Sequence, residues 1–399
     1  MPKENYHYHC VNCGKDWDAK EFRYLCPDCS KGNSIDAPPK GVLLMHYDDI
    51  SHVEQYSEDE LLLQFWPLES RTSLPPLKIG HTPLYTFRHL GEEILEYDLL
   101  IKDDSQNPSY SFKDRASTLV SAYAKEHQID TIVTASTGNA GSSLAAVCAS
   151  QQQKAIILLP KAAPLAKLVQ VEMYGAQLIK VDGNYDQAFD ESIQLSEKNG
   201  WFNRNTAYNP LTIEGKKSVS FEIYEQLGKN IPDLVFVPVG DGVIISGVFK
   251  GFEDLLKCGL IDRMPKIVAV QAEKSANIVE NLHSDNLSFP AATTKADSIS
   301  VDIPRNFYVA KHFLLTYESG TITVSDQQIM QAALKMSSSY GIFPEPASAA
   351  AFAGYLKYKE EQEIARNSQV LVLHTGSGLK DVANALSFLE EKAKDNKQD

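Results

Sequence analysis

Basic residues are scarce in this chain of 399 residues: 38 Lys and Arg stand against 52 Asp and Glu, a formal net charge of −14. So acidic a chain has no global attraction for nucleic acid or an anionic membrane, and neither is expected as a partner. Apolar runs are short, and none approaches the roughly 18 residues that a bilayer-spanning helix needs. The opening Met-Pro-Lys-Glu-Asn-Tyr-His lacks the apolar segment of a secretory leader, so a cytoplasmic protein is expected. Internal repeats and low-complexity stretches are also missing. The most conspicuous glycine loop lacks the spacing of a dinucleotide fingerprint, and no Walker lysine follows it, which argues against an NTPase. What remains is ordinary globular material, 43% hydrophobic and 23% charged, long enough for about two to three domains.

Cysteines number six, and four of them fall in one pattern: Cys10-x2-Cys13-x12-Cys26-x2-Cys29. Two such knuckles can present four thiolates tetrahedrally to one zinc ion, closing the site with no ligand position left for catalysis. The alternative is a disulfide framework, but nothing else in the chain suggests an oxidising compartment. A metal-free ribbon is the third reading. His7 and His9 lie nearby, yet four thiolates already complete the shell. The residues between the knuckles, Gly14 to Trp17 and Phe22 to Leu25, read as turn and short strand. Charges over residues 10–31 balance, with Lys15, Lys20, Arg23 and Lys31 against Asp16, Asp18, Glu21 and Asp28, so the ribbon is no reader of phosphate backbones.

Beyond the connector 30–40, a strand-like Val42-Leu-Leu-Met45 precedes acidic, helix-like material. From about residue 95 the pattern turns rhythmic. Apolar runs at 97–101, 130–134, 155–159, 177–181, 233–237, 266–270 and 369–373 alternate with helical stretches such as 140–152 and 166–174. Strands alternating with helices imply crossover connections and largely parallel sheets. Roughly eight to ten strands suit two α/β domains better than one. The charged end, 390–399, reads as a solvated helix end or a tail.

Four segments sit where a strand gives way to a helix, the place where α/β folds bind ligands. In Asn107-Pro-Ser-Tyr-Ser-Phe-Lys113-Asp-Arg115 a lysine enters the first turn of a helix, whose positive dipole end lowers an amine's pKa. Taken alone, Lys113 also reads as a surface lysine beside Asp114 and Arg115. Ser136-Thr137-Gly138-Asn139 opens an Ala-rich helix and can form a nest of N–H groups for an anion, or simply a tight turn. Val239-Gly240-Asp241-Gly242-Val243-Ile244 resembles a phosphate-cradling loop. His374-Thr375-Gly376-Ser-Gly378 follows a strong strand. His374 reads as a buried histidine in preference to a general base.

In this order the four segments, with Ile79-Gly-His-Thr-Pro-Leu84 ahead of them, resemble pyridoxal-phosphate enzymes of the tryptophan-synthase β-subunit fold, and among these the threonine synthases. The resemblance spans roughly residues 75 to 385. It implies two α/β domains with mostly parallel sheets and the cofactor in the cleft between them, plus the small N-terminal zinc ribbon of four cysteines. The boundaries expected are 1–40 for the ribbon, 41–120 with 220–399 for the large domain, and 121–219 for the small one. Lys113 would hold pyridoxal 5'-phosphate covalently and shuttle protons, while Asn139 would meet its phenolic oxygen. Gly240, Asp241, Gly242, Val243 and Ile244 would bind its phosphate, and Thr375 would face the pyridine nitrogen. Ser136, Thr137 and Gly138 would take the substrate carboxylate. Arg115 and Lys167, with Arg305 third, would meet the substrate's phosphate. The resemblance implies conversion of O-phosphohomoserine to threonine by a homodimer.

Two departures bear on the substrate. Asp241 stands where the family usually has Asn, and the segment from Thr293 to Asn306 stands in place of the Thr-Ala-containing segment before the family's Gly-Asn-Pro substrate loop. A relative acting on another substituted amino acid stays open, either cysteate synthase-like on O-phosphoserine and sulfite, or a serine/threonine dehydratase.

Overall fold

Short apolar runs become interior strands where helices can cover both faces of a sheet, and that rule sets the architecture. The computed structural model describes residues 5–48, 58–161 and 165–395. Its strands, in chain order, are β1 Tyr6–Cys10, β2 Asp16–Asp18, β3 Leu43–Tyr47, β4 Leu84–Leu90, β5 Glu93–Asp103, β6 Thr131–Ala135, β7 Lys154–Pro160, β8 Gln177–Val181, β9 Phe202–Asn203, β10 Leu234–Pro238, β11 Lys266–Ala272, β12 Gly320–Val324 and β13 Gln369–His374. They form three sheets: antiparallel β2-β1-β3, six-stranded β12-β11-β10-β13-β5-β4, and four-stranded β8-β7-β6-β9. The four-stranded sheet is parallel throughout, and the six-stranded one is parallel except for the β4–β5 hairpin.

Each interior strand feeds two cores. In β10, Val235 and Val237 pack with Val248, Phe249 and Phe252, while Phe236 points to the other face among Val268, Val372 and the Ala-rich helix Pro346–Glu361. In β7, Ile157 and Leu159 face one core and Ile156 and Leu158 the other. Every run expected as an α/β strand is one. The expected helices at 140–152 and 166–174 appear as Asn139–Gln151 and Leu165–Met173. No described helix is long and apolar enough to cross a membrane.

Two details differ from the sequence reading. Phe22 to Leu25 forms no strand; Leu25 makes only an isolated bridge to Val42. The ribbon also does not stop at residue 40, because β3 pairs along β1 from Tyr6↔Tyr47 to Cys10↔Leu43. Nor does it stand apart, since Tyr8, Cys10, Leu43 and Met45 share one core with Leu119, Ile132 and Ile157.

Close helix packing places the lysine segment. A Cβ added at Gly215 would sit 2.4 Å from the Arg115 carbonyl oxygen and 2.8 Å from Ala116 Cα, both backbone atoms that cannot step aside. Gly215→Ala is expected to destabilise the fold by about 1–3 kcal/mol, as overpacking does. A fall in the urea midpoint at unchanged slope is the measurement that checks it.

Candidate active site

Three helices open at the carboxyl ends of strands and aim their first turns at one cleft. The helix Lys113–Glu126 follows β5, Asn139–Gln151 follows β6, and Val243–Lys257 follows β10. Between them lies a cavity of about 340 Å3, lined by Lys113, Ser136, Thr137, Gly138, Asn139, Gly240, Asp241, Gly242 and Ile244. The segment 297–303 and Arg305 form its opposite wall. That wall belongs to the stretch from Thr293 to Asn306.

Lys113 Nζ has no hydrogen-bonded or ionic partner among the described residues. Burial lowers its pKa; Asp241 and Glu345 oppose the shift and Arg204 adds to it. An amine whose ammonium form is disfavoured is a better nucleophile near neutral pH. Its neighbour Asp114 holds the preceding turn by accepting from both the N–H and the hydroxyl of Ser109.

The glycine loop leaves donors open. Gly242 has φ +91°, and an added Cβ would meet Ala310 at 2.9 Å; one at Gly240 would meet Ile299 Cα at 2.9 Å. The backbone can therefore come close to a ligand only with glycine at these positions. Among the described residues, the N–H groups of Gly240, Asp241, Gly242 and Ile244 have no protein acceptor, as expected at a helix start. Val243 is spoken for: it is buried, lies off the cavity, and donates its N–H to Asp241 Oδ1 at 3.1 Å.

The second motif is partly self-bound. Ser136 Oγ accepts from the N–H of Gly138 (3.1 Å) and of Gly141 (2.9 Å), which shapes the turn. Asn139 reaches across to the start of the helix Pro346–Glu361, its Nδ2 donating to the Glu345 carboxylate oxygens at 3.0 and 3.1 Å. Thr375 is buried and lies off the cavity. Its carbonyl accepts from the Phe112 N–H at 2.8 Å, and its own N–H donates to Ser348 Oγ at 2.7 Å, so it braces the residue before Lys113. His374 is buried against Asp103 at 2.6 Å, outside the cleft.

The cations need correcting. Arg115 does not reach the cleft: its guanidinium is buried and bound to Asp104 and Glu222, leaving no donor for a substrate. Arg305 does line the cavity, but it pairs with Asp186 at 2.6 Å and stacks over Phe189. Lys167 belongs to the helix Leu165–Met173, and its side chain lies outside the described residues. Two other cations come near Lys113. Arg204 is buried and donates to Thr206 Oγ1 at 2.9 Å, Ser117 Oγ at 3.3 Å and the Lys113 carbonyl at 3.5 Å. Lys216 is buried with the Thr212 carbonyl at 3.1 Å as its acceptor. Neither sits in a recognisable motif. The one available signal was the adjacent pair Lys216-Lys217 on a helix, which cannot both reach solvent if that helix is internal.

The four ribbon thiols lie together, with all Sγ atoms within 4.8 Å of one another. Cys10–Cys29 and Cys13–Cys26 are each separated by 3.8 Å. A tetrahedron with zinc–sulfur bonds of about 2.3 Å has an edge of about 3.8 Å, whereas a disulfide spans about 2.05 Å. The arrangement is compatible with a zinc ribbon of four thiolates. His9 binds Asp16 at 2.7 Å and His7 lies 3.1 Å from Asp48, so both are engaged elsewhere.

The family described as Pyridoxal-phosphate dependent enzyme matches residues 76–376. The chain belongs to that family. Threonine synthase of Methanocaldococcus jannaschii is 35% identical over 400 residues, 96% of this chain and 95% of the relative. Threonine synthase of Methanosarcina acetivorans is 32% identical over 97% of this chain and 95% of its own. Among solved structures, threonine deaminase isoform 2 of Solanum lycopersicum superposes with a TM-score of 0.67 at 24% identity, covering 84% of this chain and 94% of that one. Maize serine racemase gives 0.66 at 21%, covering 79% and 94%. These two likenesses concern the fold.

The residues present fit the family's cofactor. An unpartnered amine faces a cleft of ligand size, and a cradle of free amides that a Cβ would fill lies beside it. Because a lowered pKa leaves more free amine at a given pH, Lys113 should capture pyridoxal phosphate down to a lower pH than free lysine, whose pKa is about 10.4. A pH titration of the visible chromophore checks this. Lys113→Ala should lose the chromophore while circular dichroism stays unchanged.

Proposed function

We propose that this enzyme converts O-phospho-L-homoserine and water to L-threonine and phosphate. The observation that carries the reading is the 32–35% identity to threonine synthases over 96–97% of the chain. That span takes in the N-terminal segment as well as the family region. Bound pyridoxal phosphate supplies an electron sink that makes protons near the amino-bearing carbon removable. The chain's own residues do the rest. Lys113 holds the cofactor through its amine, then takes and returns protons at the substrate's α and β carbons. The first turn at Ser136, Thr137 and Gly138 receives the substrate carboxylate, and Asn139 is held ready by Glu345. Amides of Gly240, Asp241, Gly242 and Ile244 take a phosphate, and the wall 297–303 shapes the space for the substrate side chain and keeps bulk water out. Phosphate leaves Cγ, and one water adds at Cβ.

Product analysis tests the reading. Threonine and phosphate in equal amounts from O-phosphohomoserine are expected. Turnover instead of O-phosphoserine with sulfite, or of free serine or threonine, would replace it with a cysteate synthase-like or dehydratase reading.

A structural zinc ion in the ribbon, a cytoplasmic setting and assembly as a homodimer belong to the same proposal. Light scattering of the purified protein checks the assembly. Replacing Cys10 and Cys13 by Ser should remove about one zinc per chain and lower thermal stability, because a closed four-thiolate site contributes to folding. Turnover per folded molecule should change less than about tenfold, measured beside metal content.

A further inference from the structure

Glu345 is a carboxyl shut away from water with few partners. It is 4% exposed, at the start of the helix Pro346–Glu361. Gly376 leaves the room for it, since a Cβ there would lie 2.7 Å from Glu345 Cδ. A carboxylate has about four lone-pair sites to fill. Among the described residues, however, its two oxygens accept only from Asn139 Nδ2, at 3.0 and 3.1 Å. Three basic groups face it from three elements: Lys113 opening its helix, Lys380 in the turn Gly378–Lys380, and His374 ending β13. Each is engaged elsewhere or too far to pair. His374 holds Asp103, and Lys380 donates to the Ser109 carbonyl at 3.0 Å and to Ser142 Oγ and Gln170 Oε1 at 2.8 Å. Lys113 lies in the field of Asp241 as well as of Glu345. Burial pushes the Glu345 carboxyl up from its ordinary range, against Asn139 and the three basic groups.

Its partner carries the consequence to the cleft. Asn139 lines the cavity, and its Nδ2 also donates to Ser298 Oγ on the facing wall at 3.2 Å. Both protons of the amide are thus directed at Glu345 and Ser298. A carboxylate can only accept, so it requires Nδ2; a neutral carboxyl can donate its O–H to Oδ1, and the amide can then turn over and free Nδ2.

We propose that Glu345 is a positioning residue whose proton decides which end of the Asn139 amide a bound ligand meets, the acceptor Oδ1 when Glu345 is ionised and the donor Nδ2 when it is neutral. The proton comes from solvent, and the rest is rotation about one side-chain bond. Glu345 does not line the cleft, so it acts through Asn139. Neutral Glu345 also withdraws a charge that favours the ammonium form of Lys113, so the same proton that frees the amide donor leaves more free amine. The inference needs the family's cofactor but no particular substrate, and it stands or falls apart from the threonine reading.

An absorption titration of the full-length protein loaded with pyridoxal phosphate tests it. The ratio of the near-ultraviolet and visible bands is followed from about pH 5 to about pH 9, above the ordinary carboxyl pKa of about 4.3. In the native protein the ratio should change by about threefold or more with Glu345 ionisation, and in Glu345→Gln and Asn139→Ala that component should be missing. Glu360→Gln, exposed near the far end of the same helix, should keep it. Infrared titration of the unloaded protein gives a second readout. The carbonyl stretch of a neutral buried carboxyl should persist above the ordinary carboxyl range in native protein and be absent from Glu345→Gln. A Glu345→Gln protein that keeps the native absorption titration overturns the proposal, as does a native infrared spectrum with no band that the variant removes. Should Glu345→Gln not fold, Asn139→Ala decides alone, because an unchanged titration there overturns the proposal equally. A purely structural Glu345 would alter stability and leave the titration where it was.

Discussion

A charge shut away from water must be paired or left waiting for a partner, and much of this molecule follows from how it meets that demand. Two buried networks satisfy it internally. Arg115 binds Asp104 and Glu222, and Glu222 also binds Lys102, which joins the helix Lys113–Glu126 to β5 and to the helix Ser218–Gln226. Lys217 binds Glu214 and Asp254, and Asp254 binds Lys250, which joins the turn after Leu211–Lys216 to the helix Val243–Lys257. These are the helices whose first turns carry Lys113 and the glycine loop. The pairs thus set Lys113 against the glycine loop, and removing one partner leaves a stranded charge rather than a mere gap.

The ribbon is tied into the same construction. Tyr47, at the end of β3, donates to Glu214 of the second network. Tyr24 stacks on Tyr208 and accepts the N–H of Asn203, the residue before Arg204. Phe22 packs against Tyr123 and Phe202. The small sheet β2-β1-β3 is therefore packed against the helix Lys113–Glu126 and the sheet β8-β7-β6-β9. A site closed by four thiols has no open position for chemistry, so its bearing on the rest of the molecule is through packing.

Legibility in the sequence followed burial. Strands covered on both faces, such as Leu234 to Pro238 and Ala155 to Leu159, appear as continuous apolar runs and were readable. Strands β4 and β12 lie at the edges of the large sheet. Their composition is mixed because one side meets solvent, so Leu84–Leu90 and Gly320–Val324 gave no comparable signal. The residues that open helices were readable for another reason: a lysine, a small-hydroxyl turn and a glycine loop are each demanded locally by backbone geometry and by the chemistry of an anion at a helix start.

The roles of the arginines and lysines were a different matter. Arg115 stands two residues from Lys113, and proximity in the chain suggested the cleft; one turn of a helix, however, sends the two side chains in different directions. Arg204 and Lys216 carry no motif, and what marks them is the absence of any carboxylate paired with them among the described residues. By itself the sequence determined the fold class, the cysteine ribbon, the family and the positions of lysine, nest and glycine loop, because these depend on local periodicity and spacing. Which cations are spent on internal pairs was decided by the tertiary structure alone, since pairing of a buried charge depends on residues more than a hundred positions away, such as Glu222 for Arg115.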